Sequence, residues 1–196
     1  MADSNITKQA LASALKELVA ERPFEKISVS DICDRCRMNR KSFYYHFRDK
    51  YDLANWIFDT EFIELSQTNA TQVISENMAF DDRWSTLLSI CRYFYDNRVF
   101  YRRILMVEGQ NSLSSHFREL IAPMLRLRME ELLGLEDIPD MVYVFFADGF
   151  LCTMERWLLD KNCIPAEEFL QNLKKLLQVL YISMDRRVSQ DPRWLE

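Results

Sequence analysis

The sequence predicts an all-α protein of about nine helices, a small N-terminal head followed by a larger helical bundle. Three observations carry that expectation. The 196 residues include only 3 Gly and 5 Pro, too few for a turn-rich β fold. Apolar residues make up 48% of the chain and recur at spacings of three and four, with no run of the period-two alternation that marks a half-buried strand. The charge shifts near residue 60. Residues 1–60 carry ten Lys/Arg against nine Asp/Glu, while residues 61–196 carry fifteen against twenty-one, so a near-neutral head precedes an acidic body.

The first helix runs from Ile6 to about Glu21, with Ala10, Leu11, Ala14, Leu15, Leu18 and Val19 as its apolar stripe. Arg22-Pro23-Phe24 ends it, because Pro23 disfavours helix at the residue before it. Phe24 and Ile27 are expected to plug the core of a three-helix head. Ser28-Val29-Ser30-Asp31 fits a capping box, and Val29, Ile32, Cys33 and Cys36 fall on one face of a second helix over 29–36. A tight connection at Arg37-Met38 leads to a third helix over 40–46, whose first turn Asn39 can cap. Phe43 and Phe47 share one face of that stretch, which turns Lys41, Tyr44 and Tyr45 roughly the other way. Helix, short turn and basic helix is the helix-turn-helix arrangement, and a helix anchored by two Phe with basic and tyrosyl side chains outward suits a groove in DNA.

Asp49 can cap a fourth helix running from Lys50 towards Ile74, with Leu53, Trp56, Ile57, Thr60, Ile63 and Gln67 on one side. It crosses the charge boundary and is expected to bridge head and body. Lys50 at its start opposes the helix dipole, so a phosphate is a better reason for its presence than stability. Two helices over 82–95 and 98–106 are rich in aromatic residues, among them Tyr93, Phe94, Tyr95, Phe100 and Tyr101. With Trp56 they read either as the lining of an apolar pocket or as plain core. Gly109-Gln110-Asn111 is a break. Ser112 to about Leu133 reads as helix, kinked or split at Pro123 and ended by Gly134. The next helix runs from about Pro139 to Lys161, and its first half, Met141 to Ala147, is apolar all round and so expected to be buried. Gly149 inside it costs roughly 1 kcal/mol against Ala, which suggests a close backbone approach. The last helix, 165–187, carries Phe169, Leu173, Leu176, Leu180 and Met184 as a coiled-coil-like seam, and Asp191 to Glu196 reads as a loose tail. The final two helices are expected to pair with their symmetry mates in an isologous dimer, with Gly149, Trp157, Leu173, Leu176 and Leu180 at the interface.

The net charge of −5 argues against a protein that coats nucleic acid indiscriminately. Within 35–50, however, Arg35, Arg37, Arg40, Lys41, Arg48 and Lys50 face only Asp49, a basic patch on an acidic chain. The start, Met1-Ala2-Asp3-Ser4, lacks the basic flank and apolar run of a signal peptide. The longest apolar stretch, Met141 to Cys152, is broken by Asp148 and falls short of the roughly 20 residues a membrane span needs. A cytoplasmic protein without membrane contact is expected. Five cysteines cannot close a complete set of disulfides within one chain. Cys33-x-x-Cys36 has no second CxxC and only two His in the chain to complete a zinc site, so both cysteines read as core and no metal or cofactor is expected. No Gly-rich phosphate loop, nucleophile elbow or HExxH motif is present, so an enzyme is not expected. His116 reads as a surface or pocket-rim residue.

Ile27-Ser28-Val29 through Ile32, then Phe43-Tyr44-Tyr45-His46-Phe47 and Lys50-x-x-Leu53, resembles the DNA-binding region of TetR-type transcriptional regulators over roughly residues 6–60. The family usually has Gly in the turn where this chain has Arg37. Gly149, then Trp157-Leu158-Leu159, then Pro165-x-Glu167-Glu168 resembles the C-terminal domain of a branch that includes activators of dihydroxyacetone kinase operons, although Ile164 stands where a capping Ser or Thr is usual. The resemblance implies a DNA-binding head over residues 1–52 and an effector-binding, dimerising bundle over 53–196. It implies a homodimer on a palindromic operator, controlled by a small-molecule effector or, in the narrower branch, a protein co-activator. Arg40, Lys41 and Tyr44 are then expected at base edges. Ser28, Tyr45, His46 and Lys50 are expected at phosphates, with Asn39 at the helix start and Arg37 as a further phosphate contact. The rival reading is a helical interaction module whose basic patch binds an acidic protein.

Overall fold

The structure, a computed structural model of the chain, describes residues 2–73, 80–107, 113–120 and 139–188. It consists of α1 (Ala2–Glu21), a 3-10 turn (Phe24–Lys26), α2 (Val29–Arg35), α3 (Arg40–His46), α4 (Lys50–Val73), α5 (Phe80–Asp96), α6 (Arg98–Leu105), α7 (113–120), α8 (Asp140–Leu159) and α9 (Ala166–Val188). No strand occurs among the described residues. The expected break at 109–111, the kink at Pro123, the stop at Gly134 and the tail at 191–196 lie outside them.

α1 begins before the expected Ile6 because its first turn carries no inward apolar residue to announce it; Ile6 itself is 65% exposed. Its stripe of Leu11, Leu15, Leu18 and Val19 meets Phe24, Ile27, Ile32, Cys33, Phe43, Phe47, Leu53 and Ile57 in one buried core. Each large side chain buried there contributes roughly 1.5–3 kcal/mol. Local hydrogen bonds fix the ends of the short helices. Ser28 accepts from the Asp31 amide at 3.2 Å, and Asp31 reaches back to the Ser28 amide at 2.8 Å, a complete capping box. Asn39 accepts from the Ser42 amide at 2.8 Å. Asp49 accepts from the amides of Tyr51 and Asp52 at 2.8 and 2.9 Å.

α4 leaves the head and enters the body. Its buried residues, Leu53, Ala54, Ile57, Phe58 and Phe62, cover a wider arc than the expected stripe and pass over Thr60, because the helix packs against both α1 and α5. Trp56 belongs to the head and not to the body's aromatic cluster: its ring is 5.7 Å from Phe47, and the Lys8 ammonium sits 5.6 Å from its centroid. In the body, Phe58 packs on Phe94, Tyr101 and Phe117 with centroids 5.3–6.5 Å apart. The space left between Phe58, Phe94, Leu113, Phe117, Met154 and Leu158 is about 10 Å³, the room of one water, so among the described residues the aromatic cluster is packed core.

Two expectations for the C-terminal helices are corrected. Met141 to Ala147 is not buried on all sides within the chain. Tyr143, Ala147, Leu151, Met154 and Leu158 form α8's inward stripe, while Met141, Val144 and Phe145 are 78%, 52% and 69% exposed. Trp157 does not face outward. It is 6% exposed, stacks on Phe169 with centroids 4.1 Å apart and on Tyr95 at 6.0 Å, and donates from Nε1 to the Ile164 carbonyl at 2.8 Å. It pins α8, α5 and α9 of one chain together. A polar chain also joins head to body: Lys16 of α1 pairs with Glu61 of α4, which accepts from Tyr93 of α5, whose hydroxyl meets that of the fully buried Tyr101 of α6.

Candidate nucleic-acid interface

α2 and α3 are joined by Cys36-Arg37-Met38-Asn39, and the turn closes on α2's last carbonyls. The Met38 amide donates to the Cys33 carbonyl at 2.9 Å and the Arg37 amide to the Asp34 carbonyl at 3.3 Å. Cys33 is buried beneath this turn, and the Cys36 thiol donates to the Ile32 carbonyl at 3.2 Å, so both cysteines take part in packing and helix closure. Among the described residues no group of three or more His, Cys, Asp and Glu side chains could hold a metal ion.

Phe43 and Phe47 anchor α3 to the core, 0% and 4% exposed. The opposite face carries Arg40, Lys41, Tyr44 and Tyr45, all exposed, with the two tyrosines 55% and 82% open to solvent. His46 is half-buried, its ring edge-on to Tyr45 at 4.9 Å. Exposed tyrosines beside exposed cations on a rigid two-turn helix make a surface able to reach into a groove and to contact both base edges and phosphates.

The basic patch counted in the sequence is narrower in space. Arg35 lies against α1, held by both oxygens of Glu21 at 2.8 Å and by Glu17 at 3.2 Å. Arg48 pairs with Asp52 at 3.8 Å. Arg22 pairs with Asp31 at 3.0 Å. Hydrogen bonds from Ser28, with Arg22 beside it, hold the Asp31 carboxyl down at about 2. Ser28 is exposed, but its hydroxyl also donates to Asp31 at 2.6 Å, so the cap already engages it.

Lys50 departs most from expectation. Its Nζ donates to the carbonyls of Phe24, Glu25 and Ile27 at 2.8, 3.1 and 2.8 Å, and lies 4.7 Å from the Phe24 ring centroid. All three ammonium hydrogens have acceptors within the protein. Burial pushes this lysine below its ordinary value, against the pull of Glu25 and Asp49. The carbonyls of the 3-10 turn thus answer the unfavourable helix dipole that had pointed to a phosphate. Arg37, Arg40 and Lys41 remain as exposed cations of the turn and α3, with no carboxylate or carbonyl partner among the described residues.

Residues 11–56, which contain all of this geometry, match the family described as "Bacterial regulatory proteins, tetR family", and residues 82–179, half of the chain, match "Transcriptional regulator C-terminal region". The chain belongs to the TetR family of transcriptional regulators. A curated relative, the HTH-type dhaKLM operon transcriptional activator DhaS of Lactococcus lactis subsp. lactis (strain IL1403), is 32% identical over 108 residues, 55% of this chain and 54% of the relative. The chain spans a little over half the length of the curated relatives it matches. A solved structure of the dihydroxyacetone kinase operon activator DhaS superposes with a TM-score of 0.63 at 22% identity, covering 89% of this chain and 96% of that one. A TetR-family regulator from Syntrophomonas wolfei str. Goettingen gives 0.69 at 15% identity, covering 91% and 96%. Thermus thermophilus FadR, a TetR-family repressor solved with lauroyl-CoA, gives 0.65 at 14%, covering 87% and 93%. These structural likenesses establish the all-helical TetR fold. No helix among the described residues is long and apolar enough to cross a membrane.

Arg35's removal from the patch and Lys50's carbonyl cradle were invisible in sequence, because their partners lie 14 to 26 positions away. The Lys16–Glu61–Tyr93–Tyr101 chain is hidden in the sequence for the same reason. Its one sequence signal is that polar groups recur within otherwise apolar, aromatic-rich segments.

Proposed function

We propose that this TetR-family regulator is a homodimer that binds a palindromic operator through α3. The observation that carries the proposal is the exposed face of Arg40, Lys41, Tyr44 and Tyr45 on a helix fixed from behind by Phe43 and Phe47. Arg40, Lys41 and Tyr44 read base edges. Tyr45 and His46 hold phosphates, while Asn39 and Ser28 fix the ends of the helices that present them. Lys50 acts from within the head, and residues 1–52 work as the DNA-binding unit carried by the bundle of 53–196.

The dimer forms through the outward faces of α8 and α9. Met141, Val144, Phe145 and Gly149 on α8, and Leu176 and Val179 on α9, are exposed in the single chain. Apolar residues repeated at helical spacing on two adjacent helices favour a four-helix isologous contact. Leu173 is half-buried and sits at its edge, and the side chain of Leu180 lies outside the described residues.

Control comes through a protein co-regulator in preference to a small molecule. Among the described residues the aromatic core has room for about one water, whereas an open recess of about 570 Å³ lies at the junction of head and body, between Pro23, Glu25, Val99, Arg102, Arg103 and Met106. The experiment that tests the function is selection from a random-sequence duplex pool, followed by a salt titration on the enriched DNA. Enrichment of an inverted repeat with steep salt dependence is the expected result. Binding that ignores sequence, or none, would return the basic patch to the rival reading as a site for an acidic protein.

A further inference from the structure

Arg37 occupies a backbone conformation that the fold by itself would give to glycine. Its φ is 57°, the one positive value at a non-glycine residue among those described. It stands just past the end of α2, whose cap is Cys36. Met38 donating to the Cys33 carbonyl and Arg37 to the Asp34 carbonyl complete the Schellman closure that glycine serves best. In the left-handed region Cβ crowds the next carbonyl, so any side chain here lowers stability. Nothing among the described residues repays that loss. Arg37 is exposed and has no carboxylate or carbonyl partner among the described residues, although Arg35, two positions earlier, is gripped by two glutamates. The cation instead stands in the turn, three residues before Arg40 and beside the N-terminal end of α3. Strained backbone of this kind clusters at ligand clamps and other functional sites.

We infer that Arg37 clamps a DNA backbone phosphate from the turn, outside the recognition helix, and that this chain holds a strained arginine there in exchange for affinity. The inference rests on the DNA-binding reading above. It requires stability and affinity to move in opposite directions in one variant. Arg37→Gly relieves the crowding and removes the charge. Its thermal midpoint is expected to rise by roughly 2–4 °C for a chain of this size. On duplexes selected by the wild-type protein and on their scrambled counterparts alike, affinity is expected to fall by about tenfold or more per half-site. The slope of log affinity against log salt is expected to fall by about one per half-site. Arg37→Asn, which also tolerates the left-handed region, should lose the same slope. Arg37→Lys should keep both the slope and the wild-type midpoint. A glycine variant that binds with undiminished affinity and slope overturns the inference, and so does one that melts below the wild type. A wild-type protein that selects no DNA at all overturns the underlying reading instead, so the two failures are distinguishable.

Discussion

Replacing Lys50 by Met separates a structural lysine from a phosphate-binding one. Methionine keeps an unbranched stem of similar length and removes the ammonium, which also lies 4.7 and 5.5 Å from the Phe24 and Tyr51 ring centroids. Three carbonyls at 2.8, 3.1 and 2.8 Å then lose their donor. A hydrogen bond to a charged group is worth about 1.5–3 kcal/mol, so full additivity would give roughly 5–9 kcal/mol. Two facts reduce that figure. Glu25 is exposed, so water can replace the ammonium at its carbonyl, and the lysine itself is only half-buried, which screens its charge. The expected cost is about 2–3 kcal/mol, or roughly 4–12 °C in midpoint for a chain of this length. The assay is urea denaturation of wild type and variant, followed by salt titrations of DNA binding well below the variant's midpoint. The carbonyl role leaves the salt slope unchanged, whereas loss of a phosphate contact lowers it by about 0.9 per site. A variant of wild-type stability whose slope falls by about one would refute the structural account and restore the phosphate.

Four further outcomes are expected. Arg40→Ala should cost roughly 1–3 kcal/mol on the selected operator and relax preference at one base position in each half-site; uniform loss on cognate and scrambled duplexes would make Arg40 another phosphate clamp and leave base reading to Lys41 and Tyr44. Gly149→Leu should leave each chain folded, because a Cβ at Gly149 meets no described residue within 4 Å beyond its own stretch of helix, yet should weaken dimerisation in sedimentation and operator binding with it; an unchanged dimer places the interface elsewhere. Buried Cys33 and Cys91 should react with a thiol reagent only on unfolding, whereas Cys152, exposed in the single chain on the α8 face proposed for the dimer, should react faster in the monomer than in the dimer. Burial pushes the Cys91 thiol from 9.0 up to about 12, so the unfolded chain ionises first and stability should decline as pH rises from about 9 towards 12; a flat profile there would mean that Cys91 is solvated.

The head was legible because its determinants are local. Ser28 with Asp31, Asn39 with Ser42, and Asp49 with Asp52 each act within three residues, and Phe43 with Phe47 states which side of α3 faces in. Partners across the fold were not legible. Counting charges between 35 and 50 gave six cations in one patch, yet Arg35 turns to α1, Arg48 to Asp52 and Lys50 to the 3-10 turn. Trp157 shows the same limit in the core. Its place in the sequence fits an outward seam as well as an inward one, and only the stack with Tyr95 and Phe169 decides between them. Met141 to Ala147 reads as buried because its apolar residues surround the helix. One chain buries only Tyr143 and Ala147 of these seven, and the exposed ones imply a second surface, which hydrophobic periodicity cannot distinguish from the chain's own core.

The contacts between head and body bear on how a signal could travel. α1 is tied to α6 by the Arg103 guanidinium on the Val19 carbonyl and by Lys16, whose ammonium lies 5.6 Å from the Phe100 centroid while pairing with Glu61. Glu61 is also the acceptor for Tyr93, and burial pushes the hydroxyls of Tyr93 and Tyr101 well above their ordinary values, so both remain donors at any physiological pH. The carboxylate therefore has Lys16 on one side and a tyrosine pair on the other, drawn from four different helices. Sliding α6 relative to α4 would strand either the carboxylate or a buried hydroxyl, and an unpaired buried polar group costs more than the net worth of its bond. Small displacements are thus resisted, and a displacement large enough to re-pair the groups would carry α1 with it. A partner seated at the recess beside Val99, Arg102 and Met106 would press on this same α6, one helix away from the core that orients α3. Control of DNA binding from that recess needs no cavity inside the aromatic core.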